Sequence, residues 1–133
     1  ADETPTWVYA ADDAPERQGE ALVAAGARVV RLPRGEGWLA SVFHDLHVQG
    51  VGRCMVEGGA HTLASCLAAE VVDQVAIFIA PRELGPGALP AVPARAGLPA
   101  ASLAPDDLAR ALGLVECRVA RSGDDTLLRG YRG

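Results

Sequence analysis

Glu57, Gly58, Gly59 and His61 are the residues of this chain whose types and spacing could do chemistry. They sit in Arg53–Leu67, where a short apolar run (Cys54, Met55, Val56) leads into a carboxylate, then two glycines, then an alanine- and leucine-rich stretch. The pattern predicts a buried strand, a tight bend and a helix. A glycine bend lets a bulky group approach the backbone, because no Cβ stands in the way. The first amides of a helix have no partner within it, and the peptide dipoles add about half a positive charge there. A phosphate suits such a place. The same two glycines also suit an ordinary tight turn, and a diglycine alone does not decide between the two. Glu57 adds weight to a ligand site, because open α/β sheets bind ligands at the carboxyl ends of their strands. Its carboxylate would repel a phosphate on the same amides, so it is expected to face a donor-rich part of a second ligand. His61, at the start of the helix, is either a surface histidine or a neutral donor to that phosphate.

Other candidate residues are weaker. His44 and His47 lie three apart on one helical stretch but have no third ligand nearby, so they read as surface or half-buried side chains and no metal site is expected. Cys54, Cys66 and Cys117 are an odd set without C-x-x-C spacing, and they read as buried free thiols in a reducing, cytoplasmic setting rather than as disulfides or metal ligands. The chain has 133 residues, one domain's worth, and half of them are hydrophobic. A formal charge of −5 argues against a nucleic-acid or acidic-membrane partner. All 12 basic residues are arginine, which excludes lysine chemistry. No apolar run approaches membrane-spanning length.

The elements that must position the bend follow in order. Trp7–Ala10 reads as a strand, and Asp12 or Asp13 as the cap of a helix over Pro15–Ala25 that stops at Gly26. Arg28–Leu32 is a second strand, and Trp38, Leu39, Val42, Phe43 and Leu46 mark a helix up to Gly50. The helix after the diglycine is expected to run to about Glu70. Val75–Ala80 reads as a central strand covered on both faces. Leu84–Pro105 reads as a long loop, Asp106–Leu112 as a short helix, and Val115–Ala120 and Thr126–Gly130 as a hairpin turning at Ser122–Asp125. This alternation predicts a mixed α/β class, mostly parallel, with an antiparallel hairpin at one edge.

Val56-Glu57-Gly58-Gly59-Ala60-His61-Thr62-Leu63-Ala64 resembles the V-E-G-G-x-x-L-A pattern of the reductase domain of the bifunctional riboflavin-biosynthesis deaminase/reductase family, RibD. Val72-Asp73-Gln74-Val75, the run Ile79–Gly85, and Gly123–Arg129 are similar to that family's later motifs, in the same order. The resemblance implies a dihydrofolate-reductase-like fold across residues 1–133. It implies reduction, with NADPH, of 5-amino-6-(5-phosphoribosylamino)uracil, a pyrimidine ribose-phosphate, by a homodimer. It assigns substrate contact to Glu57 and the cofactor's phosphates to Gly58, Gly59, Ala60, His61, Thr62, Leu63, Ala64 and Ser65. Related folds often join the two glycines by a cis peptide, expected here at Gly58–Gly59. The family's opening strand, its arginine-bearing segment for the substrate phosphate and its zinc-binding deaminase half have no counterpart in this sequence. The expectation is therefore a later part of a longer reductase domain, with a sheet edge left to be completed. A non-catalytic nucleotide-binding or dimerisation module of the same fold, or a related pyrimidine or pterin reductase, is the alternative.

Overall fold

The computed structural model describes residues 4–85, 87–88 and 104–133, and the chain divides into two compact units, Ala1–Cys54 and Met55–Gly133. Its class is mixed α/β.

In the first unit, β1 (Trp7–Ala11) and β2 (Arg28–Leu32) pair in parallel, in register from Trp7↔Arg28 to Ala11↔Leu32, with α1 (Glu16–Ala24) between them in sequence. A parallel pair needs such a crossover. Both strands keep an outer edge with no partner strand among the described residues of this unit. Arg31 on β2 fastens the turn that leaves β1: its guanidinium donates to the carbonyls of Ala14 (2.8 Å) and Asp12 (3.3 Å). Arg28 lies 4.5 Å over the Trp7 ring, a cation–π contact across the strand pair. The expected carboxylate cap of α1 is absent. Pro15 takes the capping position, with no side-chain bond to the helix. Asp13 instead accepts from Arg34 Nε at 3.0 Å, and that bond holds its carboxyl below the usual carboxylate range. α2 (Trp38–Val48) buries Val42, and its Asp45 accepts a 2.8 Å bond from the Tyr9 hydroxyl of β1.

In the second unit, residues 55–59 form no strand, contrary to the reading of Cys54–Val56. Met55 is 80% exposed, and a short apolar run with no neighbouring strand to pair with has no ladder to join. α3 (Ala60–Ala68) follows. β3 (Gln74–Ile79) pairs antiparallel with β5 (Asp125–Arg132), which pairs antiparallel with β4 (Leu114–Ser122), giving the order β3-β5-β4. Of the three strand pairings among the described residues, one is parallel and two are antiparallel. The hairpin strands run to the turn itself, so that Ser122 faces Asp125 and only Gly123 and Asp124 lie between. α4 (Pro105–Ala111) packs on β4 and β5.

β3 is not covered on both faces as its continuous apolar run suggested. Its burial alternates, with Val75, Ile77 and Ile79 turned inward and Phe78 60% exposed. Leu128 on β5, opposite Ile77, is the most buried large side chain among the described residues at 1% exposure, and Cys66, Leu108 and Leu112 are the other buried apolar residues described in this unit. Of the three cysteines expected to be buried, only Cys66 is: Cys54 and Cys117 are exposed, because Cys54 lies in no strand or helix and Cys117 sits at an irregularity of β4. Most of the long loop expected over Leu84–Pro105 lies outside the described residues. No helix among the described residues is long and apolar enough to cross a membrane.

Candidate functional site

The bend at Gly58–Gly59 opens directly into α3. Gly59 occupies the N-cap position with φ −68° and ψ 169°, and no side chain caps the helix. The Leu63 amide closes the first helical bond on the Gly59 carbonyl at 3.2 Å. The amides of Ala60, His61 and Thr62 come before that bond, where an α-helix leaves its N–H groups without intrahelical acceptors. No acidic residue stands in the first turn to oppose an anion. The helix therefore presents bare donors and the positive end of its dipole to the space beyond Gly59.

The two glycines serve different ends. Neither has positive φ, and the peptide between them is trans, so the cis bond expected at Gly58–Gly59 is not formed. The trans form is favoured by about 3–4 kcal/mol for a non-proline bond, and this bend closes without giving that up. A Cβ on Gly58 would stand 2.9 Å from Thr62 Cβ and 3.1 Å from its Cγ2. Glycine is required there by close packing against the first turn of α3. A Cβ on Gly59 would meet nothing within 4 Å, so the backbone at this position is open to an approaching group.

The remaining site residues divide by what they can offer. Glu57, His61, Thr62 and Ser65 are exposed, whereas Ala60, Leu63 and Ala64 are half-buried. Leu63 spends its amide inside the helix, and Ala64 and Ser65 lie within the regular ladder, so their amides are not donors to a ligand. The backbone donors that this segment leaves outside the helical ladder are those of Ala60, His61 and Thr62, with side-chain donors at His61, Thr62 and Ser65. The Glu57 carboxylate stands two residues before the cap, exposed, with no hydrogen bond or ion pair to any described residue. His44 and His47 on α2 are exposed, and no group of three metal-ligating side chains occurs among the described residues.

Two surface hollows lie elsewhere. One, of about 560 Å³, is formed within the first unit by β2 and α2, including Leu32, Ser41, His44 and Asp45. The other, of about 580 Å³, lies on the β4–β5 face of the second unit and includes Arg118 and Arg129. Neither contains any of residues 57–65. A cradle of backbone amides at an exposed bend is a shallow feature, and its donors rather than its depth define it. Sequence reasoning passed over the β4–β5 hollow, because it depends on an irregularity of strand pairing that alternating hydrophobicity does not reveal.

Compared with known proteins, residues 1–119 match the RibD C-terminal domain. No curated protein matches. Among solved structures, a pyrimidine reductase-like protein from Corynebacterium diphtheriae superposes with a TM-score of 0.68 at 19% identity, over 95% of this chain and 49% of that one. This likeness shows a shared fold, and this chain spans about half the length of that structure. With a family match over 119 of its 133 residues, the chain belongs to the RibD C-terminal domain family.

Proposed function

We propose that this chain provides the cofactor-binding part of an NADPH-dependent reductase that converts 5-amino-6-(5-phosphoribosylamino)uracil to its ribitylamino product. Family membership supports the reductase class, and reductases of this family use a nicotinamide cofactor. The observation that carries NADPH onto these residues is the uncapped N-terminus of α3, with open space beyond Gly59. The donor set suits a diphosphate: the Ala60, His61 and Thr62 amides would hold its oxygens, and the Thr62 and Ser65 hydroxyls and the His61 ring are close in sequence to add further bonds. When bound, the nicotinamide supplies a hydride to the ribose carbon. The contribution of this chain is to bind and orient. Glu57 accepts hydrogen bonds from the ring N–H groups of the pyrimidine and so fixes the substrate beside the cofactor. The same reading makes the protein a cytoplasmic homodimer.

The second reading is a nucleotide-binding module of the same fold without turnover, which the same uncapped helix start would serve equally. Quenching of protein fluorescence by NADPH, followed by NADPH oxidation in the presence of the pyrimidine substrate, separates the two. The reductase reading expects saturable binding and substrate-dependent oxidation that Glu57→Gln slows at least tenfold, about the loss of one charge-assisted hydrogen bond. Binding without oxidation supports the module, and absence of binding contradicts both.

A further inference from the structure

The pairing of β4 with β5 is interrupted by one extra residue. Val115 faces Tyr131, and Arg118 faces Arg129, so one residue of β5, Gly130, is spanned by two of β4, Glu116 and Cys117. This is a β-bulge, and it carries backbone strain: Glu116 has φ +51°, a left-handed conformation that costs an L-residue about 1–2 kcal/mol. The bulge has a definite effect on direction. Residues three apart on a regular strand point to opposite faces. With the extra residue inserted, Val115 and Arg118 are brought to the same face, and Arg118 is set directly across from Arg129. Gly130 is held to glycine by this arrangement, since a Cβ there would stand 2.9 Å from Leu114 Cβ and 3.0 Å from Cys117 Sγ.

The result is a cross-strand pair of like charges, which is unfavourable in itself. Neither guanidinium has an ion-pair or hydrogen-bond partner among the described residues, in a chain that carries 17 acidic side chains. Both line the hollow of about 580 Å³, together with the amide of Gln74 and the ring of Tyr131, which face each other at the end of the β3–β5 ladder. Glu116 and Cys117 complete its wall. Two guanidiniums against one carboxylate leave the lining with an excess of positive charge, and Gln74 and Tyr131 add neutral donors.

We propose that this hollow binds a phosphate-class oxyanion, clamped between Arg118 and Arg129. It is separate from the amide cradle of α3, since the two share no residue. The anion offsets the repulsion between the guanidiniums, and the strained bulge is the device that aims Arg118 at it.

The probe is inorganic phosphate, titrated at constant ionic strength and followed by amide chemical shifts of the ¹⁵N-labelled protein. The amides of Cys117, Arg118, Gly130 and Tyr131 are expected to shift along a saturating curve. Arg118→Gln and Arg129→Gln are each expected to weaken that curve at least tenfold while the rest of the spectrum is kept. Arg110→Gln, on α4, leaves it unchanged. Glu116→Gly, which relieves the strained φ and removes the opposing carboxylate, is expected to tighten it. A parallel titration with ribose 5-phosphate identifies the source of the anion: tighter binding points to a phosphate carried on a small molecule, and equal binding to free phosphate. Shifts at these amides that survive both arginine substitutions, or no saturating shift in the unaltered protein, would overturn the proposal.

Discussion

At the scale of single residues, Gly58 and Gly59 are adjacent and chemically identical, yet the structure asks opposite things of them. Gly58 is fixed by packing, because its missing Cβ is the space that Thr62 occupies. Gly58→Ala is expected to cost about 1–3 kcal/mol, since Thr62 Cβ is anchored to the helix backbone and cannot swing away. Denaturant unfolding measures it. Gly59 faces open space and has backbone angles that any residue adopts. The spacing of this motif was legible in the sequence, and so was its place at a helix start. The division of labour between the two glycines was not, because it depends on which way the missing Cβ of each would point. Tyr9 is a second residue whose environment sequence alone hides. Burial first, and then its bond to Asp45, raises the phenol from 10.0 to about 12. The folded state thus favours the neutral phenol. The stability this contributes is whole below pH 10 and is lost as pH rises toward 12. Tyr9→Phe is expected to cost about 1 kcal/mol at neutral pH and to flatten the alkaline decline in stability over that window, as read by thermal unfolding across pH.

At the scale of elements, α3 ends as instructively as it begins. The amides of Glu70 and Val71 return to the carbonyls of Leu67 and Cys66, a Schellman closure. The residue that makes this turn must be left-handed, and here it is Glu70, at φ +54°. α2 closes in the same way with Gly50, at φ +89°. Glu70→Gly is therefore expected to stabilise the protein by about 0.5–1 kcal/mol, measured by chemical denaturation. The absence of glycine at this point is why the sequence suggested a helix running to Glu70 rather than stopping at Ala68. β2 was read with its observed bounds and β1 came within one residue, because short apolar runs between turn signals leave little choice of register. The run at Cys54–Val56 looked equally strand-like, but a strand needs a neighbour to bond with, and composition cannot supply one. β3 shows the converse: Phe78 is as apolar as its neighbours and is left on the open face. Apolar character along a strand thus told where the strand lies without telling how many of its faces are covered.

At the scale of the whole molecule, the mixed α/β class followed from the order of elements. The balance between parallel and antiparallel pairing rests on which strands become neighbours. β3 joins β5 of the closing hairpin, a partner about fifty residues further along, and no local pattern announces that choice. Family membership rests on the order of separate motifs along the chain. The functional proposal rests on a smaller feature, the three amides that open α3 on a side-chain-free bend. Replacing the glycine at its N-cap tests that feature without disturbing the fold. Asp at this position is a preferred cap and would itself accept from the His61 or Thr62 amide, so Gly59→Asp is expected to leave stability unchanged or a few tenths of a kcal/mol higher. The same carboxylate would occupy the place of a phosphate and repel one.

The most direct measurement is an NADPH titration of the ¹⁵N-labelled protein and of its Gly59→Asp variant. The account predicts that the Ala60, His61 and Thr62 amides of the unaltered protein shift and saturate together, and that the variant, equally folded, loses this response by at least tenfold in affinity. Saturating NADPH shifts that bypass these three amides, or that persist unchanged in the variant, would contradict it.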